Sequence, residues 1–88
     1  MNPVSSVDQN YPNPFNGSTS IKVKLLKSSN LTMEVCNMAG QLVKQLDLDT
    51  VSKGLHEVTL NADDLKAGIY FYTLDTGKDR ITKKMIIQ

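Results

Sequence analysis

The most constraining feature of the sequence is residues 68–74, Gly-Ile-Tyr-Phe-Tyr-Thr-Leu. Aromatic and β-branched side chains suit a packed, pleated surface, so this run has the strongest strand tendency in the chain. In an extended backbone, alternate side chains point to opposite faces, which puts Tyr70 and Tyr72 on one face and Ile69 and Phe71 on the other. Both faces are apolar, and the run therefore predicts a central strand that is covered on both sides.

Other segments alternate between apolar and polar residues, which is typical of half-buried strands. These segments are residues 19–26, 31–37, 55–60 and 80–87. Residues 41–48 also alternate, but the pattern slips between Val43 and Leu46, which predicts a bulge. Residues 38–41 predict a tight hairpin with Gly40 at a position of positive φ, and residues 49–54 predict a loop.

This pattern predicts an all-β fold, an immunoglobulin-like antiparallel β-sandwich of six to seven strands, because no helix-length period appears between the turns. In such sandwiches a tyrosine near the start of one strand donates a hydrogen bond back to the preceding turn. Tyr70 stands at that position after the turn at residues 61–68. Two interpretations stay open: Tyr70 makes this bond, or it is a core tyrosine with its hydroxyl at the rim.

Residues 9–17, Gln-Asn-Tyr-Pro-Asn-Pro-Phe-Asn-Gly, are unlike the rest of the chain. Pro12 and Pro14 lack a backbone donor and bias the residues before them toward extended conformations. The segment therefore cannot lie in the middle of a sheet. We expect a stiff loop that closes one end of the core with Phe15 inserted as an anchor; a recognition tag is the alternative.

The length and composition limit the classes of function. A chain of 88 residues is one domain, in which we expect residues 1–8 to be a linker or edge segment and residues 9–88 to be the folded part. The net charge of +1 provides no general electrostatic basis for binding nucleic acid or a membrane. No apolar run approaches the roughly 18 residues of a transmembrane segment.

Residue types that carry chemistry are scarce. His56 is the only histidine and Cys36 the only cysteine, and both are interpreted as structural residues of strands. One cysteine excludes an intramolecular disulfide, and the pair cannot complete a zinc site. No calcium-loop spacing or glycine-rich phosphate loop is present. We therefore expect no enzyme activity, no catalytic or metal-binding residues and no cofactor.

Short motifs occur in a fixed order along residues 9–88. They are residues 9–16 followed by Thr19 and Ile21; Val35, Asn37 and Gly40; Gly54 and His56; Leu65, Gly68, Tyr70 and Tyr72; and Lys84, Met85, Ile86 and Ile87. In this order the motifs resemble those of the type A C-terminal sorting domains of the type IX (Por) secretion system of Bacteroidetes. The chain departs from the family pattern at Gly17, Cys36 and Leu60, where proline, an aromatic residue and tryptophan are frequent.

The resemblance implies a function. Such domains end larger exported proteins, pass through the periplasm, and are recognised by the secretion translocon so that the N-terminal cargo domain reaches the cell surface or the medium. A surface sortase usually cuts upstream, here at or before residues 1–8. The candidate recognition residues are Lys83, Lys84, Met85, Ile86 and Ile87. The further family-motif residues are Pro12, Asn13, Pro14, Phe15, Gly40, Gly68, Tyr70 and Tyr72.

Two other functions fit the same sandwich. The motif of Leu65, Gly68, Tyr70 and Tyr72 also resembles the immunoglobulin-like domain of flagellar hook-cap proteins, which is a structural module. A surface adhesion or carbohydrate-binding module is the third possibility. The opening at residues 9–16 and the ending at residues 84–87 favour sorting, which predicts that Gln88 is the last residue of the parent protein.

Overall fold

The computed structural model describes the backbone of residues 4–88 and the side chains of residues 6–88. The strands are β1 (Val4–Val7), β2 (Ser18–Leu25), β3 (Ser29–Asn37), β4 (Leu42–Val51), β5 (Gly54–Asn61), β6 (Gly68–Asp75) and β7 (Arg80–Ile87). They form a three-stranded sheet in the order β1-β2-β5 and a four-stranded sheet in the order β4-β3-β6-β7. All neighbouring strands are antiparallel, so the predicted β-sandwich is confirmed. Residues 4–88 contain no helix, and thus no helix that could cross a membrane.

The core lies between the two sheets and consists of the alternate side chains that the sequence predicts to face inward. In β2 and β3 these are Ile21, Val23, Leu25, Leu31, Met33 and Val35, each at most 1% exposed. Complete burial of one such side chain contributes roughly 1.5–3 kcal/mol. The alternation therefore fixes both the faces and the registers of these strands.

β6 lies between β3 and β7, which confirms its central position in the sheet. The prediction that both of its faces are covered is wrong. Tyr70 and Tyr72 face the core and are buried, whereas Ile69 and Phe71 lie on the outer face and are only half-buried. A sandwich has two layers, so the outer face is shielded only by cross-strand neighbours, such as Lys84 opposite Phe71.

β4 is longer and less regular than its sequence predicts. It continues to Val51, so the first half of the expected loop at residues 49–54 belongs to the strand. Its pairing with β3 shifts register twice, which leaves Val43 and Leu48 as the extra residues of two bulges. The sequence predicts one bulge, between Val43 and Leu46. Asp49 follows the second bulge with a φ of 55°, a conformation that aspartate tolerates better than most residues.

Candidate recognition site

Residues 9–15, here called the strap, link the two sheets on one side of the sandwich. Tyr11 forms an antiparallel bridge with Ser20 of β2, and Phe15 forms a parallel bridge with Ile87 of β7. The sequence predicts a loop across one end of the core, but the structure shows that the segment runs between the edges of the two sheets. It therefore brings the opening and closing motifs of the chain together.

The strap satisfies the outward-facing backbone groups at the C-terminal end of β7. The Phe15 N–H donates to the Ile86 carbonyl at 3.0 Å, and the Gln88 N–H donates to the Phe15 carbonyl at 2.8 Å. Side chains add two bonds: Asn13 Oδ1 accepts from the Ile86 N–H at 2.9 Å, and Gln9 Nε2 donates to the Lys84 carbonyl at 2.6 Å. These bonds hold the C-terminal end of β7 in a strand conformation although β7 lies at the edge of the sheet.

Phe15 anchors the strap, as its sequence predicts, because its side chain is only 1% exposed within the core. Pro12 and Pro14 are exposed, and Pro12 contributes through its backbone. The Pro12 carbonyl accepts from Thr19 Oγ1 at 2.8 Å and from Asn10 Nδ2 at 3.1 Å. The proline residues therefore shape the strap, while a phenylalanine holds it in place.

Asn10 is a buried polar residue that sequence reasoning did not single out. It is only 2% exposed, and its Nδ2 also donates to Thr19 Oγ1 at 3.1 Å. Buried polar groups require partners because their desolvation is costly. The strap is therefore held by specific hydrogen bonds as well as by Phe15. Asparagine is common in exposed turns, so the sequence does not indicate this buried structural function of Asn10.

Tyr72 connects β6 to the beginning of the strap. Its hydroxyl accepts from the Asn10 N–H and donates to the Asp8 carbonyl, each at 2.9 Å. Burial raises the pKa of Tyr72, the hydrogen bond from the Asn10 backbone opposes this shift, and the charge of Asp8 adds to it. The family-motif residue Tyr72 is therefore a core residue whose polar end holds the chain before Tyr11.

The sequence leaves two interpretations of Tyr70 open, and the structure shows the one in which its hydroxyl bonds to the preceding turn. Its hydroxyl donates to the Lys66 carbonyl at 2.8 Å, in the turn that precedes β6. Gly68 begins β6 and pairs with Ile87, so this motif lies beside the end of β7. Gly40 lies apart, in the β3–β4 hairpin, where its φ of 82° confirms the predicted turn position.

The candidate recognition residues of β7 divide between its two faces. Met85 and Ile87 face the core and are 0% and 4% exposed, so they are unavailable to a partner of the folded domain. Lys84 is exposed, and Lys83 and Ile86 are half-buried. Alternation places the two lysines on opposite faces of the strand, and neither has an ion-pair partner within residues 6–88.

The cysteine and the histidine of the chain do not lie together in a site. Cys36 lies in β3 of one sheet, whereas His56 lies in β5 of the other. His56 Nε2 is 2.6 Å from the carbonyl of Ser52, which lies in the short connection between β4 and β5. Within residues 6–88, no group of three or more potential metal ligands occurs.

The sequence profile of the secretion system C-terminal sorting domains matches residues 9–88. The chain belongs to this family. The resemblance in the ordered motifs is thereby confirmed, and the type IX sorting domain defined by this match is a signal for export to the cell surface or for secretion. Membership favours sorting over the hook-cap and adhesion alternatives.

The sorting domain is similar in fold to part of a solved structure, the dimeric latent PorU from Porphyromonas gingivalis. The TM-score is 0.75 and the sequence identity 19%, and the match covers 99% of this chain. The chain spans only 10% of the length of that protein, so the similarity shows the fold alone. A search of curated proteins finds no match.

Proposed function

We propose that this sorting domain is a non-catalytic signal that carries an attached N-terminal cargo domain through the periplasm and across the outer membrane by type IX secretion. A surface sortase then removes it. The partners are the translocon, the sortase and the cargo. The family match supports the sorting function, and the arrangement of the strap supports the way in which the signal is presented.

The observation that carries the proposal is the contact between the two ends of the matched region. Residues 9–15 and residues 84–88 are far apart in sequence, yet backbone and side-chain hydrogen bonds join them. Such a surface exists only when the domain is folded. The translocon would therefore recognise a folded signal rather than a linear tail.

Within this surface we assign two functions to the candidate residues. Lys83, Lys84 and Ile86 contact the translocon, because their side chains are at least partly accessible. Met85 and Ile87 anchor β7 in the core and present the other three. The motif residues Pro12, Asn13, Pro14, Phe15, Gly68, Tyr70 and Tyr72 shape and hold the surface, and Gly40 shapes the distant hairpin.

We propose that the sortase cuts before β1. Val4–Val7 forms β1 and pairs with β2, and the Asp8 N–H donates to the Lys22 carbonyl at 2.9 Å. A cut between residues 4 and 8 would require β1 to be pulled from its sheet. We therefore place the cut before residue 4, and residues 9–88 remain the part that we propose as the sorting domain proper.

An export assay tests the function. A periplasm-directed fluorescent protein is fused to residues 1–88 and expressed in a bacterium that has type IX secretion, and fluorescence at the surface and in the medium is measured. The intact fusion is expected to be exported, and a fusion that lacks residues 83–88 is expected to stay in the periplasm. Retention of the intact, folded fusion would contradict the sorting function and favour a structural module.

A charge reversal sharpens this assay without removing core residues. Lys84→Glu changes an exposed side chain of the proposed surface, and Lys24→Glu changes an exposed lysine of β2 in the other sheet. We expect Lys84→Glu to lower export roughly tenfold, as the loss of one favourable charge contact of about 1.4 kcal/mol would do. Equal export of the two variants would exclude Lys84 from the recognition surface.

A further inference from the structure

β7 is an edge strand whose C-terminal half is covered by the strap and whose N-terminal half is open. In an antiparallel pair, backbone groups point alternately toward and away from the partner strand. The groups of β7 that bind the strap, the N–H and carbonyl of Ile86 and the carbonyl of Lys84, belong to even-numbered residues. Even-numbered residues of β7 therefore point away from β6.

The same alternation directs the backbone of Arg80 and Thr82 and the N–H of Lys84 toward the open side. These groups point away from β6, and no other segment within residues 4–88 forms a hydrogen bond with them. The pairing of β7 with β6 runs from Arg80 to Ile87 without a register shift, unlike that of β4, which two bulges distort. A regular edge with unpaired donors and acceptors is a template for an added strand.

The open half of β7, residues 80–84, carries the basic side chains of Arg80, Lys83 and Lys84. Arg80 already forms ion pairs within the domain, because its Nη1 lies 2.5 Å from Asp75 Oδ2 and 3.3 Å from Glu34 Oε1. Lys83 and Lys84 have no acidic partner within residues 6–88. Like charges opposite one another in a sheet are destabilising, so a second copy of this strand would be repelled and an acidic strand would be attracted.

We propose that the open half of β7 binds an extended, acidic peptide segment of the secretion machinery by β-strand addition. The segment carries Asp or Glu beside Lys83 and Lys84 and an apolar side chain beside the half-buried Ile81. This inference rests on the proposed sorting function, for which it supplies the mode of recognition. The strap restricts the segment to residues 80–84, because Gln9 already occupies the carbonyl of Lys84.

Proline substitution tests the backbone contact. Thr82→Pro removes an N–H that points away from β6, at an edge position where proline is compatible with a sheet. The Thr82 hydroxyl bonds to that of Thr73 at 2.8 Å, and Thr82→Val removes the same hydroxyl but keeps the N–H, so it is the matched control. In the export assay we expect a roughly tenfold loss for Thr82→Pro and near wild-type export for Thr82→Val.

The outcomes separate this inference from the proposed function. If the intact fusion is not exported, the sorting function fails and the inference fails with it. If the intact fusion and folded Thr82→Pro are exported equally, strand addition is wrong while sorting stands. Folding of the purified fusions is checked by their thermal unfolding midpoints.

A second pair of variants covers the case in which Thr82→Pro does not fold. Arg80 is the first residue of β7, a position that accepts proline, so Arg80→Pro removes an outward N–H and Arg80→Gln is its control. Equal export of these two variants would overturn the inference. So would a dimer of the purified fusion in analytical ultracentrifugation that Thr82→Pro dissociates, because the occupant would then be a second copy.

Discussion

At the scale of single residues, the polar ends of buried side chains decide how the strap is held. Tyr72 is 0% exposed, and its hydroxyl bonds to two backbone groups before and within the strap, at Asp8 and Asn10. The sequence predicts only that Tyr72 lies in a central strand that is covered on both sides. Its partners could not be predicted, because they are more than sixty positions away in the chain.

Tyr72→Phe tests this contact. The substitution keeps the ring but leaves the buried Asn10 N–H without its acceptor, so we expect the free energy of unfolding to fall by about 1–3 kcal/mol. Denaturant unfolding measures the change. Tyr11→Phe is the control, since Tyr11 is 81% exposed and its change is expected to stay within about 0.5 kcal/mol.

The difference in stability between wild type and Tyr72→Phe is also expected to depend on pH. Burial raises the pKa of Tyr72 in the folded state, so the folded chain holds this proton more tightly than the unfolded chain does. Its contribution to stability is complete below the unfolded value of about 10 and is lost as the pH rises through the raised folded pKa. The stability advantage of wild type over Tyr72→Phe should therefore shrink in alkaline solution; a constant difference across that range would contradict the assignment.

At the scale of elements, the strands follow from alternation and the exceptions have local causes. The inward faces of β2, β3, β5 and β7 agree with the sequence pattern, because one buried face specifies the register of a strand. The sequence predicts a loop at the end of β4, because residues 49–54 contain turn-forming residues. Its pairing with β3 and the bulge at Leu48 override that local preference.

The contact between the strap and β7 can be predicted from the sequence only in part. Burial of Phe15 follows from an aromatic residue in a stiff segment, but its neighbour β7 does not. Of the candidate recognition residues, alternation alone indicates that Met85 and Ile87 face inward. The bonds from Gln9 and Asn13 to β7 depend on the three-dimensional path of the strap and leave no local pattern in the sequence.

Asn13→Ala tests this contact. The side-chain amide oxygen accepts the Ile86 N–H at 2.9 Å, so its removal should speed exchange of that amide roughly fivefold, in keeping with a hydrogen bond of about 1 kcal/mol. Hydrogen exchange measured by NMR gives the rate. Asn16→Ala removes an exposed asparagine whose side chain makes no hydrogen bond within residues 6–88, and it should leave the Ile86 amide unchanged.

At the scale of the whole molecule, the fold places the two ends of the family-matched region, residues 9–15 and 84–88, in one surface. The family match extends over residues 9–88, and the strap and β7 are its first and last parts. The strap of this sandwich brings the opening and closing motifs of the chain into contact although they are far apart in sequence. This contact explains why truncation of the last residues would disturb the strap as well as β7.

We propose that export depends on this folded surface, which the strap and β7 form together. The most direct measurement is export of the fluorescent fusion with Gln9→Ala and Asn13→Ala together, compared with Asn16→Ala and with wild type. We predict that wild type and Asn16→Ala are exported and that the double variant, still folded, is exported roughly tenfold less. Wild-type export of a double variant whose Ile86 amide exchanges freely would contradict the claim.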